Sequence, residues 1–462
     1  MLKQPQRMAI GFWLMLALGL PSPLLLAEPT SFDLDRISNV VVLFLENHSF
    51  DNLYGLYPGA DGIKNAPPQT LRQLDLEGKP YLKLPRVINT SLTPPEEDSR
   101  FPGDLPNGPF AINRFVAPKD KIPDLTHRFY QHQAQMNGGQ MNRFVAHSNA
   151  GGLTMGYYED SALPLRAYAK RYTLLDHFFA AAFGGSFLNH MWMACACTPW
   201  EAHPPGSNKI HLAADGVVTR DGAFTQDGFA VNNILPAFGP GNLKAKGPDR
   251  MLAPQRQPTL GDRLSDRHVD WAWYAAGWDD ARRGAADPTF QFHHQPYTYF
   301  ERYRDGSEDR QRHLLDGKDF EAAIVSGRLP PVAFYKPLGR YNSHPGEATL
   351  LEGEQHVAAL LKILEKSPQW PGMLVIVTYD ETGGFWDHVA PPPGDRFGPG
   401  GRVPTLLVSP FTIGGRIDHT VYDATAIHHL IERRFHLQPL TDRDAKAEDL
   451  ASSLKVPEAA NH

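Results

Sequence analysis

Cysteine is nearly missing from this chain: Cys195 and Cys197 are the two among 462 residues. Two cannot build a disulfide framework. On a helix, residues two apart point in different directions, so buried helical thiols are expected here, not a bond between them. Charge of one sign is not in excess either. The 45 basic and 51 acidic residues leave a net −6, which gives no electrostatic case for a nucleic-acid partner or a polybasic membrane anchor. There is no internal repeat and no low-complexity linker. Past the first 26 residues no stretch reaches the roughly 20 apolar residues that a membrane span takes. What is present, 42% hydrophobic and 21% charged residues, fits a soluble globular chain. With 41 prolines and 40 glycines, long ordered loops are expected.

The N-terminus has the layout of a targeting segment. Lys3 and Arg7 precede an apolar core, Ala9–Leu20 with Leu24–Leu26, interrupted by Pro21 and Pro23. Ala27 is a cleavage position, although Leu25 is a poor residue at −3. This predicts a Sec-type signal peptide over residues 1–27, a single catalytic domain over 28–462, and a periplasmic or secreted protein. An uncleaved anchor is the alternative, and the short, proline-broken core argues against it. No twin-arginine pair is present.

Two apolar runs stand out. Val40–Leu45 has the continuous hydrophobicity of a strand buried on both faces, and it stops abruptly at Glu46-Asn47. Val375–Val377 does the same and runs into Thr-Tyr, then Asp380-Glu381, a Gly-Gly turn and Asp387-His388. Val269–Trp273, Pro331–Tyr335 and Val403–Val408 read as further strands, and Tyr172–Ala182 as a strand entering a loop. Gln355–Lys366 is an amphipathic helix with Val357, Leu360, Leu361 and Leu364 on one face. Ala424–Phe435 is another helix, and Phe187–Cys197 a third, with Ser186 at its N-cap. Strands alternating with helices predict an α/β layered domain with a mostly parallel sheet. Residues 56–125 read as a long surface excursion, and 198–262 as loop-rich.

Acids placed directly after buried strands are costly without a positive partner. Glu46, Asn47, Asp380 and Glu381 are therefore candidate ligands of a divalent metal ion, an all-oxygen set that suits Mg, Ca or Mn better than a thiolate site does; Zn stays open. Ser186, after Gly184-Gly185 and at a helix start, can meet an anion, and a metal touching its oxygen would ease its deprotonation. Around Ser186 there is no Gly-x-Ser-x-Gly elbow, which argues against an acyl-transfer triad. Among 20 histidines, His127, His190, His293, His294 and His344 sit in segments that could serve a phosphoryl group or a leaving group. His388, His428 and His429 read as packed or surface residues.

Four stretches carry a resemblance: ENHSFDNLYG from Glu46, AFGGSFLNH from Ala182, YDETGGFWDHVAPP from Tyr379 and GRVPTLLVSPF from Gly401. Together, and in this order, they resemble the bacterial phosphoesterase family, which contains secreted acid phosphatases and phospholipases C within the alkaline phosphatase superfamily. The resemblance implies an alkaline phosphatase-like fold, a central sheet flanked by helices. It implies that Glu46, Asn47, Asp380 and Glu381, with Ser186, hold the metal, and that Ser186 is the nucleophile. It implies that His127, His293, His294 and His344 surround the phosphate. Many family members have Arg where His48 stands and His where Thr382 stands. The GGSFLNH nucleophile motif is closer to the acid phosphatases than to the phospholipase branch, whose nucleophile is usually Thr. The expected activity is therefore phosphomonoester hydrolysis through a phosphoserine, with a phospholipase C acting on lipid head groups as the alternative. The expected partner is thus a small phosphate ester or a phospholipid head group. A catalytically dead periplasmic anion- or metal-binding protein would need a broken constellation, and all five metal-site residues are present.

Overall fold

The computed structural model describes Met1 and residues 32–159, 162–214, 216–240 and 250–455. Apart from Met1, the expected signal peptide lies outside the described residues. By its contacts the chain divides into Met1–Ser31 and Phe32–His462, and the candidate site lies wholly in the second. No helix among the described residues is long and apolar enough to cross a membrane.

Eight strands form one sheet: β1 Asn39–Leu45, β2 Thr173–Leu175, β3 Trp271–Ala275, β4 Leu314–Asp316, β5 Val332–Lys336, β6 Met373–Tyr379, β7 Thr405–Val408 and β8 Ile417–Asp418. Their order across the sheet is β4-β3-β5-β1-β6-β7-β2-β8. Only β7 runs against its neighbours, and every other adjacent pair is parallel. The sheet is mostly parallel, as expected. β1 lies at its centre, with Val41 opposite Ala333 on one side and Val375 on the other. Every residue of β1 and β6 is buried, which is why both read as unbroken apolar runs.

Helices α1 Phe50–Tyr54, α2 Phe129–Met136, α3 Pro164–Arg171, α4 Ser186–Cys195, α5 Gly317–Ser326, α6 Leu350–Leu364 and α7 Thr425–Phe435 accompany the sheet. The expected inward face of α6 is buried, but the helix begins earlier than its apolar pattern, at a Thr349 cap that accepts from the Glu352 amide. Its first turn carries Gly353, where a Cβ would stand 2.1 Å from Ser343 Oγ; only glycine allows that approach. Residues 56–125 hold only short elements, as expected.

Two local expectations are corrected at α4. Gly185 is the N-cap and Ser186 the first helical residue. Cys195 and Cys197 are joined by a disulfide, with their Cα atoms 5.1 Å apart. The helix stops at Cys195 because Ala196 takes a left-handed conformation, φ 46°. The helical spacing that forbids such a bond therefore does not apply between them.

Candidate active site

Parallel neighbours end on the same side of a sheet, so β5, β1 and β6 deliver their next residues to one place. The Asp380 amide donates to the Leu45 carbonyl at 3.0 Å, which continues the β1–β6 ladder one step past the strands. Glu46, Asn47, Asp380 and Glu381 thereby come together, all 2% exposed or less. Lys336, the last residue of β5, joins them. Ser186 enters from α4, and its hydroxyl lies 3.3 Å from Asn47 Oδ1. As the first residue of a ten-residue helix, it sits where free amides and the helix dipole favour an anion.

The histidines close the site from loops. His294 Nε2 is 2.8 Å and Lys336 Nζ 2.6 Å from Glu46 Oε1. Asn342 Nδ2 donates to Glu46 Oε2 at 2.8 Å. His190 Nδ1 donates to the Ser186 carbonyl at 2.7 Å, and its ring stacks on that of His294 at 5.6 Å. His293 stands edge-on to His190, 5.2 Å between centroids. His127 Nε2 lies 3.9 Å from Glu381 Oε1, and its Nδ1 3.5 Å from Asp124 Oδ1. The ring of His344 is 5.7 Å from that of His127. All ten residues singled out from the sequence for metal or phosphate thus meet in one cluster. Lys336, Asn342 and Asp124 belong to it and were not singled out. Lys336 carried the signal already used for Glu46, a charged group on the end of a buried apolar strand. Asn342 and Asp124 lie on loops and carried none.

The electrostatics are those of too many buried acids. Burial and the nearby Glu46 charge push Asp380 up to about 7, while Lys336 pulls the other way. Burial and the Asp380 charge push Glu381 well above the usual range. Burial also acts upward on Glu46, but Lys336 and His294 hold it well below its ordinary value. Burial lowers His127, His190, His293 and His294. His344 is the exception. Burial acts downward on it, and the charges of Asp124, Glu46 and Glu347 outweigh that and raise it.

The donor set fits a divalent cation. Asp380 Oδ2 and Glu381 Oε1 are buried and have no hydrogen-bond partner among the described residues. Two adjacent carboxylates in that state call for a counter-charge beyond the one lysine already committed to Glu46. Hard oxygen donors from Glu46, Asn47, Ser186, Asp380 and Glu381 are what such an ion takes.

His48 and Thr382, where the sequence departs from the family pattern, are also accounted for locally. His48 places Nδ1 2.7 Å from Asn52 Oδ1 and Nε2 3.0 Å from the Ser343 carbonyl, and burial lowers it to about 4. Thr382 Oγ1 lies 3.4 Å from His132 Nε2, so an imidazole reaches that spot from α2.

A serine at a helix start, clustered buried acids and a shell of imidazoles thus share one buried cluster at the ends of β5, β1 and β6. The chain belongs to the Phosphoesterase family, which it matches over residues 37–438. It is similar to a non-hemolytic phospholipase C of Burkholderia pseudomallei, 25% identical over 450 residues, a match covering 87% of this chain and 55% of that protein. It is also similar to phospholipase C B of Mycobacterium tuberculosis, 24% identical over 483 residues, covering 94% of this chain and 81% of that one. The chain therefore spans little more than half the length of the first of these relatives. Among solved structures, a protein in the alkaline phosphatase superfamily from Vibrio parahaemolyticus matches with a TM-score of 0.32 and 10% identity, over 71% of this chain and 75% of that one. At that score the likeness carries no argument, and the architecture stands on the strand order above.

Proposed function

We propose that this chain is a metal-dependent phosphoesterase in which Ser186 is the nucleophile. Glu46, Asn47, Ser186, Asp380 and Glu381 would hold a divalent cation. The observation that carries this reading is the serine at the first position of α4, packed among buried carboxylates with unpartnered oxygens. When bound, the cation supplies charge that favours the deprotonated serine and the developing charge on the phosphoryl oxygens. Ser186 Oγ attacks phosphorus, and the ester oxygen leaves. His344, the imidazole with the raised affinity for a proton, donates to that leaving oxygen. His127, His293 and His294 border the phosphoryl group. His293 or His294 accepts the proton of the water that later hydrolyses the phosphoserine. The α4 amides stabilise the anionic oxygens.

For the substrate, the named relatives are phospholipases C, and they favour a lipid head-group phosphodiester over the phosphomonoester expected from the sequence. The GGSFLNH motif around Ser186 keeps the acid phosphatase reading as the second. The protein would act in the periplasm or outside the cell, after loss of residues 1–27, as one catalytic domain. Diacylglycerol release from phosphatidylcholine, compared with phosphate release from p-nitrophenyl phosphate, separates the two substrates: a strong preference for the monoester overturns the lipid reading. Ser186→Ala should lower both rates at least a thousandfold, a loss of about 4 kcal/mol in transition-state stabilisation. Near-normal turnover would remove Ser186 as nucleophile.

A further inference from the structure

A second cluster of acids and imidazoles lies at the β8 edge of the sheet, where β2 and β8 pair in parallel and end together. β2 is followed at once by Asp176 and His177, and β8 by His419. Asp61 approaches from the loop after α1. Asp176 is fully buried, yet both of its oxygens face imidazole nitrogens: His177 Nδ1 is 2.9 Å from Oδ1 and His419 Nδ1 is 2.8 Å from Oδ2. One ligand atom from each of Asp176, His177 and His419 can be chosen so that all three lie within 4.8 Å of one another.

His177 is caught between two carboxylates. Its Nε2 is 3.2 Å from Asp61 Oδ2, while its Nδ1 faces Asp176. A neutral imidazole has one N–H and one lone pair, so one of these nitrogens would aim a lone pair at a carboxylate. A proton relieves that, and so does a metal ion. If Nε2–H donates to Asp61, the Nδ1 lone pair is free for a cation shared with Asp176 and His419. This is the arrangement in which a carboxylate orients a metal-bound histidine through its far nitrogen.

The frame is already rigid. The guanidinium of Arg402, fully buried, donates to the Asp61 carbonyl at 2.7 Å and to the Asp176 carbonyl at 2.9 Å. The Asp61 amide donates to Asp176 Oδ2 at 2.8 Å. One side is open, since the His419 side chain is 60% exposed, which gives an ion a way in and leaves room for water as a further ligand.

We propose that Asp176, His177 and His419 form a second cation site, separate from the catalytic cluster, with Asp61 orienting His177. Two imidazoles and one carboxylate select a borderline transition metal, zinc foremost, over calcium or magnesium. Because it shares no residue with the catalytic cluster, it stands or falls independently of the proposed activity.

Chelator-stripped full-length protein is equilibrated with Zn2+ alone, desalted and assayed for bound zinc. A Glu46→Gln/Asp380→Asn/Glu381→Gln background removes the three carboxylates of the catalytic cluster, and in that background one zinc per chain is expected. Adding His177→Gln or His419→Gln should weaken zinc binding at least tenfold. Co2+ in the same background should give a visible absorption band that His419→Gln abolishes. With the catalytic residues intact, His419→Gln should leave phosphoester turnover within twofold. Zinc retention unchanged by either histidine substitution overturns the proposal, as does no zinc retained in the background. Should His177→Gln fail to fold, the exposed His419 decides alone.

Discussion

Lys336 gives the sharpest test of how the candidate catalytic cluster is held. Its ammonium is fully buried, 2.6 Å from Glu46 Oε1 and 5.3 Å from the centre of the Phe44 ring. Across 2.6 Å, at an effective dielectric near 20, the attraction is about 6 kcal/mol, much of it offset by desolvation of both ions. Removing one member of a buried pair typically costs about 3–5 kcal/mol, since the other is left uncompensated. Glu46 keeps His294 and Asn342, so Lys336→Met should fall at the lower end, about 3 kcal/mol. Urea unfolding of chelated protein at neutral pH measures this. Glu46→Gln/Lys336→Met should recover much of the loss, giving a coupling of about 2 kcal/mol in the double-mutant cycle. The pH dependence has a definite sign. Burial acts upward on Glu46, but Lys336 and His294 hold it below its usual 4.5. That stability is therefore present above pH 4.5 and lost as pH falls through the folded value. The wild-type and Lys336→Met curves should converge in acid. A divalent cation should narrow the gap at neutral pH by supplying charge to the same carboxylates. Purely additive single substitutions, with coupling under about 0.5 kcal/mol, would refute the reasoning.

Gly184 has φ 89°, and a Cβ there would stand 2.6 Å from the Phe129 amide nitrogen; Gly184→Ala should cost at least about 1–3 kcal/mol and lower turnover by displacing Ser186, and wild-type unfolding and rates would contradict this. Burial, a hydrogen bond to Asp444 and the Asp444 charge raise Glu432 from 4.5 to about 9. Stability from that proton is complete below pH 4.5 and lost as pH rises through about 9, so Glu432→Gln should flatten the decline in denaturation midpoint between mildly acidic and alkaline buffer, and a parallel decline would refute it. Chelation should abolish phosphoester turnover and a divalent cation restore it; full activity after exhaustive chelation would exclude the metal.

The centre of the fold was legible because β1 and β6 are buried on both faces and say so in unbroken apolar residues. The edges were not. β4 and β8 have three and two residues, too few to show any period. The early start of α6 was missed because its first turn contains Gly353, a packing requirement and not a helix signal. The disulfide was missed because Ala196, an ordinary helix former, is the residue that leaves the helix. The clustering of the catalytic candidates followed from strand ends and from the family motifs. Lys336 was overlooked because a lysine after an apolar strand reads as a solvated end, whereas here the neighbouring acid draws it inward.

The stretch Val375–His388 shows two treatments of buried acid within eight residues. Asp387 takes the Asp51 amide at 3.0 Å, the Val389 amide at 2.9 Å and the Arg402 guanidinium at 3.0 Å. His388 donates to Asp51. That pair is satisfied internally and holds the loop to α1. Asp380 and Glu381 each receive one backbone amide, from Glu381 and Gly383, and their other oxygens are left over. A fold able to bury an arginine beside Asp387 could have neutralised Asp380 in the same way. An internal arginine there would fill the space before Ser186 and fix the charge permanently. Under the proposed function, leaving two carboxylate oxygens unpartnered next to a serine hydroxyl would keep that space for a cation and a substrate, at the cost of stability when neither is bound. The stability gained on adding a divalent cation should therefore shrink in Asp380→Asn and persist in Asp387→Asn. Equal losses of that gain would mean the two acids are not treated differently after all.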